Sequence, residues 1–226
     1  MMKRSLLAAM LAVAAFQAGG CAAVSWAVAQ FAPPQKVDAQ FKPPQGKRIL
    51  VLPDEVSSTK GECQTVKQLL SQRVGQLLIE HEVAGSVIPY SQVIHLETIT
   101  PGYDRLTIPE IGEQLKADLV LYVHVDRFEL RDTTADPLWH GVFAATVKLV
   151  DVKEGRLWPQ DRPDGHRIGP IEVPVHDSSQ PAHEIELTAD LVEKMSDRIA
   201  KLFYDHRVDA QDLQKQQQRD KQAELR

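Results

Sequence analysis

Apolar residues follow two different periods along this chain, and these periods predict both strands and helices. Residues 48–53 form a continuous apolar run, which is typical of a buried strand. From residue 62 onward apolar residues recur at helical spacing, namely Val66, Leu69, Leu70, Val74, Leu77 and Leu78. A short strand is predicted at residues 86–89. Another helix is predicted from residue 107, where Thr107, Pro109 and Glu110 match a capping box.

The second half of the chain contains the strongest strand pattern. In residues 118–130 one predicted face carries Leu119, Leu121, Val123 and Val125, and the other carries Val120, Tyr122, His124, Phe128 and Leu130. A second long strand is predicted at residues 139–152, followed by a turn at Gly155, a return from Leu157 and an extended stretch at 166–175. A final helix is predicted at residues 182–206, with a stripe of Ile185, Val192, Met195, Ile199, Leu202 and Phe203.

The order of these elements, β-α-β-α-β-β-β-α, favours the α/β (α+β) class. Strand–helix–strand units followed by a hairpin predict one mixed sheet of about four to five strands, with helices packed mainly on one face. We expect this interaction domain to span residues 47–208. Residues 209–226 are expected to be a polar C-terminal tail, either a solvated helical extension or disordered.

The N-terminus has the three parts of a secretory signal. Lys3 and Arg4 precede an apolar segment at residues 6–16, which is shorter than the about 20 residues of a membrane-spanning helix. Small residues at 18–20 then lead to Cys21. This run resembles the lipobox of bacterial lipoproteins, in which the cysteine receives a diacylglyceryl group and the preceding peptide is removed. The resemblance implies a cleaved signal peptide at residues 1–20 and a lipid on Cys21.

The resemblance also implies a destination for the mature chain. In the lipoprotein class an aspartate just after the cysteine favours retention in the inner membrane, whereas this chain has Ala22. An outer-membrane location, lipid-anchored and facing the periplasm, is therefore implied, since several acyl chains together hold a protein firmly. The lipobox usually has leucine where this chain has Ala18, and ordinary cleavage that leaves Cys21 unmodified is the alternative.

Residues 21–46 are interpreted as the lipidated cysteine and a proline-rich tether. The sequence Ala-Gln-Phe-x-Pro-Pro-Gln occurs at residues 29–35 and again at residues 39–45. Paired prolines favour extended polyproline II structure and resist helix formation. Two interpretations are open: a stiff spacer, or two copies of a docking peptide for an aromatic-lined groove.

Charge and cysteine content exclude several classes of partner and cross-link. The net charge is −5, and it becomes more negative once Lys3 and Arg4 are removed. Nucleic acid is therefore not an expected partner, because it is normally bound by clustered basic residues. The chain has one cysteine besides Cys21, so lipidation of Cys21 leaves no intrachain disulfide. Cys63 is interpreted as a half-buried inert thiol, with intermolecular pairing as the alternative.

Four groups of residues were weighed as sites of chemistry. Ser57 and Lys60 match the Ser-x-x-Lys pattern of penicillin-binding enzymes, but both companion motifs are missing from the sequence. The histidines lack metal-ligand spacing, and the His183, Glu184 and Glu186 group is read as a helix start. The aromatic group of Trp139, Phe143 and Trp158 is read as core packing.

His124 and Asp126, with Tyr122 beside them, form the fourth group. A histidine and a carboxylate on one strand face have the chemistry for acid–base work. A polar set satisfied within the sheet is the simpler interpretation, because buried polar groups are normally hydrogen-bonded. The sequence therefore predicts no catalytic residue, no metal site and no cofactor, and names His124 and Asp126 as the alternative.

Two segments, residues 111–122 and residues 147–158, resemble TolB amino-terminal-like and curli-secretion-lipoprotein-like domains. In the first segment a helix is followed by a small residue, Asp118 and an apolar strand. The second segment resembles a hairpin that commonly reads Leu-Val-Asp-x-x-x-Gly-x-x-Leu-Trp, but it has one residue instead of two between Gly155 and Leu157. That group includes periplasmic scaffolds, secretion-channel subunits and activators of wall synthesis. The resemblance implies a non-enzymatic envelope lipoprotein that binds another envelope protein or forms a homo-oligomer. The second hypothesis is a ligand-binding or hydrolytic periplasmic protein that uses His124 and Asp126.

Overall fold

A computed structural model describes residues 35–55, 63–131, 139–174 and 182–208. The predicted signal peptide, the Cys21 lipid site, the Ser57 and Lys60 pair and the C-terminal tail lie outside these residues. So do the side chains of Cys63, Trp139 and His183, although the backbone of each is described.

The described residues fall into two units. In the smaller unit, strands β1 (Gln35–Val37) and β8 (His206–Val208) pair antiparallel, with Lys36 opposite Arg207. The larger unit spans Asp38–Asp205 and contains the other elements. These are β2 (Arg48–Glu55), α1 (Cys63–Glu80), β3 (Ser86–Ile88), α2 (Tyr90–Ile99), a 3₁₀ turn (Tyr103–Arg105), α3 (Ile108–Gln114), β4 (Leu119–Arg131), β5 (Trp139–Asp151), β6 (Gly155–Trp158), β7 (His166–Pro174) and α4 (Ala182–Lys201).

The larger unit contains one mixed, six-stranded sheet in the order β3-β2-β4-β5-β6, with β7 also paired to β5. Strand β2 runs parallel to both β3 and β4, and β5 runs antiparallel to β4. Strands β6 and β7 pair with successive parts of β5, at residues 149–151 and 140–147. The α+β class is confirmed. The strand count is higher than predicted because the return at Leu157 and the stretch at 166–175 are two separate strands along one edge of β5.

Both faces of the sheet are covered where it is parallel. The long helices α1 and α4 cover one face and form the larger core, which includes Ile49, Val51, Leu119 and Leu121. The short helices α2 and α3 cover the opposite face over Leu50, Leu52 and Val120. Parallel strands are normally buried on both sides, which explains why β2 reads as a continuous apolar run. Thr107 and Glu110 form the predicted capping box at the start of α3.

A bulge in β4 reverses one sequence prediction. The register with β5 shifts between Val125 and Arg127, so Asp126 is an extra residue in the strand. One inserted residue moves every later side chain to the other face. Phe128 and Leu130 therefore pack against the larger core and not on the Val120 face, where the alternation alone places them. The Phe128 ring meets the Phe143 ring edge to face at 5.3 Å between centroids.

The last helix also differs from its prediction at both ends. The predicted apolar stripe includes Ile185, yet this residue is 75% exposed. Leu187 and Leu191 pack over Gly141 instead, and they anchor the start of α4 on β5. At the other end α4 stops at Lys201, whereas the prediction continued to residue 206. Residues 202–205 are therefore outside the helix.

The N-terminal part of the larger unit is bound to this non-helical segment. The backbone N–H groups of Gln40 and Phe41 both donate to the carbonyl of Leu202. The backbone N–H of Ala39 donates to the Asp205 carboxylate at 3.0 Å. These contacts join the second copy of the repeat, residues 39–45, to the larger unit, which begins at Asp38. The domain boundary at residue 47 stays a prediction.

Candidate functional site

Five polar side chains lie side by side on the sheet face opposite the larger core: Asp54, Tyr122, His124, Asp126 and Thr146. We refer to them as the polar cluster. Strand register brings them together, because Asp54 of β2 and Thr146 of β5 both lie opposite His124 of β4. Tyr122 is two residues earlier on β4 and shares the face of His124. The structure thus joins the sequence-predicted His124, Asp126 and Tyr122 to residues on both neighbouring strands.

Tyr122 and Asp54 form the first bonded pair of the polar cluster. The Tyr122 hydroxyl donates to Asp54 Oδ2 at 2.7 Å. Burial of the ring raises the pKa of Tyr122, and the hydrogen bond to Asp54 and the charge of Asp54 raise it further. Burial together with the charges of Glu97 and Asp54 raises the pKa of nearby Tyr103 to about 12. Both phenols therefore stay protonated at neutral pH, and the Tyr122 hydroxyl is a neutral donor.

Thr146 and Asp126 form the second bonded pair. The Thr146 hydroxyl donates to Asp126 Oδ2 at 2.7 Å, and the bulge in β4 places Asp126 where this contact is possible. The Nε2 atom of His124 lies 3.9 Å from Asp126 Oδ1, too far for a hydrogen bond. The Nδ1 atom of His124 is buried and has no hydrogen-bond partner among the described residues. His124 is therefore the one member of the polar cluster that makes no hydrogen bond to another member.

Two donor–acceptor pairs, Tyr122 with Asp54 and Thr146 with Asp126, make up the hydrogen bonds within the polar cluster. Among the described residues, His124 makes no hydrogen bond with the Thr146 hydroxyl or with Asp126. In the part of the chain that the structure describes, no three His, Cys, Asp or Glu side chains converge as a metal site would require. Each carboxylate of the polar cluster therefore accepts a hydrogen bond from a hydroxyl on a neighbouring strand.

The remaining candidates from the sequence fall at different places. Phe143 and Trp158 are buried in the larger core, which confirms their assignment to core packing. The Trp158 ring meets Phe203 edge to face at 5.5 Å between centroids. Glu184 is half-buried and Glu186 is exposed, both near the start of α4. None of these residues contributes to the polar cluster.

The sequence did not reveal two members of the polar cluster, Asp54 and Thr146. One signal pointed to Asp54: it directly follows the apolar run of a strand predicted to be buried. A polar residue at the carboxyl end of a parallel strand lies beside its neighbour strands, where sites commonly form. Thr146 carried no comparable signal, because its place in the polar cluster depends on the register of β4 and β5.

No helix in the described part of the chain combines the length and the apolar content needed to cross a membrane. No protein-family model matches the sequence, and no curated protein matches it.

Several solved structures are similar to this chain. Lipoprotein GNA1162 from Neisseria meningitidis has 18% sequence identity and a TM-score of 0.41, over 67% of this chain and 99% of that chain. A PelC dodecamer from Paraburkholderia phytofirmans has 8% identity and a TM-score of 0.41, over 76% and 98%. The uncharacterized lipoprotein B from Nitrosomonas europaea has 12% identity and a TM-score of 0.36, over 73% and 84%. The similar structures thus include bacterial lipoproteins, and the resemblance to TolB amino-terminal-like or curli-secretion-lipoprotein-like domains stays a prediction.

Proposed function

We propose that this chain is an outer-membrane lipoprotein, anchored through Cys21 and facing the periplasm. It acts as a non-enzymatic scaffold or as an assembly or secretion accessory by binding another envelope protein or its own copies. The observation that carries the proposal is the N-terminal run, in which basic residues, a short apolar segment and small residues lead directly to Cys21.

The polar cluster supports the non-enzymatic part of this proposal. Both of its carboxylates accept hydrogen bonds from neighbouring hydroxyls, which is the arrangement expected of polar groups that stabilise a sheet. The edge strand β7 carries Pro170 and Pro174, which lack N–H donors and discourage the addition of a further strand. Partner contacts are therefore expected on side-chain surfaces and not along this sheet edge.

Chemical crosslinking in intact membranes, followed by affinity capture of the full chain, tests the scaffold role. Recovery of a stoichiometric envelope protein, or of a second copy of this chain, supports the proposal. Recovery of the chain alone over a series of crosslinker lengths contradicts it.

Replacing Cys21 by Ser should remove the anchor. Without a thiol no diacylglyceryl group is attached, and the described domain offers no membrane-spanning helix to replace it. We expect most of the Cys21→Ser protein in the soluble fraction, and mass spectrometry of the wild-type chain should show Cys21 as an acylated N-terminus. A Cys63→Ser variant is the control and should remain anchored. A Cys21→Ser protein that stays fully in the membrane would contradict the anchor.

Substitutions at His124 and Asp126 test the alternative, in which these residues bind a ligand or catalyse hydrolysis. Asp126→Asn keeps an oxygen that accepts from Thr146, so we expect a change in unfolding free energy of less than about 1 kcal/mol. His124→Ala should likewise act on stability alone. The measurements are thermal unfolding and the cellular phenotype at equal abundance. Loss of the phenotype without loss of stability in both variants would favour the alternative.

A further inference from the structure

The second copy of the repeat, residues 39–45, is bound by Leu202 and Asp205, which follow α4. We refer to these two residues as the docking site. Because that helix ends at Lys201, the carbonyl of Leu202 lies beyond the helix and accepts bonds from elsewhere. The backbone N–H groups of Gln40 and Phe41 donate to this carbonyl at 2.9 and 3.1 Å. The N–H of Ala39 donates to Asp205 Oδ1 at 3.0 Å. All three donors belong to the backbone, so these contacts do not depend on which side chains the bound segment carries.

Two side chains of the segment add to the backbone contacts. The ring of Phe41 is half-buried and packs against the larger core. The Lys42 ammonium lies 2.8 Å from Asp205 Oδ1, the same oxygen that accepts from Ala39. The Lys42 side chain is 65% exposed, so this ion pair adds little, and the ring supplies most of the specificity.

The first repeat copy carries the same binding groups. Residues 29–35 match residues 39–45 at every position except one, where Ala32 replaces Lys42. Ala29, Gln30 and Phe31 therefore offer the same three backbone donors and the same aromatic ring. The first copy lacks only the ammonium, which is the weakest of the contacts.

We propose that residues 29–35 are a second ligand of this docking site and that the two copies exchange within one chain. Exchange shifts the N-terminal segment by ten residues, the spacing between the two copies, and leaves the residues between Gln35 and β2 as a loop. The cost of closing a longer loop grows slowly with its length. The second copy is favoured at equilibrium, because Lys42 pairs with Asp205 and because exchange also withdraws β1 from β8.

Exchange changes the reach of the tether. An extended proline-rich segment spans about 3.1 Å per residue, so the shift alters the spacing between Cys21 and the domain by roughly 30 Å. This consequence rests on the proposed lipid anchor at Cys21. The exchange itself does not require the lipid, so its test is independent of where the chain is anchored.

Site-specific photocrosslinking in the full-length chain tests the exchange. p-Benzoylphenylalanine in place of Phe41 should crosslink to the proteolytic peptide that contains Leu202 and Asp205, which shows that the site is formed. The same probe in place of Phe31 should give a weak crosslink to that peptide in the wild-type background. Phe41→Ala should raise it several-fold, because the second copy loses its ring. Lys42→Ala should raise it less, and Gln45→Ala, at an exposed position, should leave it unchanged.

Two results would overturn the proposal. One is the absence of a crosslink from position 31 in both the Phe41→Ala and the Lys42→Ala backgrounds, while the domain resists protease as the wild type does. The other comes from mixing isotopically light and heavy chains. In an equimolar mixture, crosslinks of which about half join a light to a heavy peptide would show that the first copy binds another molecule and not its own domain, because binding within one chain gives only light–light and heavy–heavy pairs.

Discussion

Replacing Leu121 by Asp should abolish cooperative folding of the chain. Leu121 is 1% exposed and lies in the middle of β4, opposite Val51 on one side and Leu149 on the other. A carboxylate there has no partner in the larger core. The cost of burying an unpaired charge or a protonated acid, added to the loss of the leucine contacts, is comparable to the net stability of about 5–15 kcal/mol that is typical of a domain. Circular dichroism during heating should show no sigmoidal transition.

The matched control is the same change at an exposed position. Ile185 is a large apolar residue on α4 that is 75% exposed, so Ile185→Asp should leave the melting temperature within a few degrees of the wild type. A negative charge in the first turn of α4 is also compatible with the helix dipole. A Leu121→Asp protein that melts cooperatively near the wild-type temperature would show that β4 is not the central strand of the core.

The features that sequence predicted well are local or strongly periodic. The helical spacing of Val66, Leu70 and Val74 in α1 is confirmed, and all three residues are buried. The capping box at Thr107 and Glu110 needs only four consecutive residues, and the turn at Gly155 needs one residue with φ near 90°. Each of these signals is complete within a short stretch of chain, so neighbouring elements do not alter it.

The features that sequence missed depend on contacts between distant residues. A single inserted residue at Asp126 moves Phe128 and Leu130 to the other face, and alternation alone does not reveal the insertion. The pairing of Asp126 with Thr146 then follows from the register of two strands. Sequence predicted three members of the polar cluster, because they lie within one strand, and missed Asp54 and Thr146 on the neighbouring strands.

The N-terminal repeat is another feature whose contacts join residues that are distant in the sequence. A spacer and a docking peptide have the same composition, so the sequence alone leaves both interpretations open. The contacts that residues 39–41 make involve Leu202 and Asp205, which are available because α4 ends at Lys201. The apolar stripe continues through Leu202 and Phe203, and both residues are buried after the helix has ended. The apolar periodicity therefore predicts a helix that is too long and that includes Leu202 and Asp205, the residues that bind the second copy of the repeat.

Replacing Gly85 by Ala should have the second large effect on stability, because two loop backbones approach each other closely at this residue. A Cβ atom at Gly85 would lie 2.6 Å from the carbonyl oxygen and 2.9 Å from the Cα of Gly46. These are backbone atoms, so no side chain can rotate away, and the bond from Gly85 N–H to the Lys47 carbonyl at 2.9 Å holds the two segments together. We expect a loss of about 1–3 kcal/mol in unfolding free energy, measured from the urea midpoint at unchanged m-value.

Gly169→Ala is the control, because a Cβ atom at this residue meets nothing within 4 Å. This substitution should leave the urea midpoint unchanged or slightly higher. Equal midpoints for the two alanine variants would contradict the contact between residues 46 and 85, on which the placement of edge strand β3 beside β2 depends.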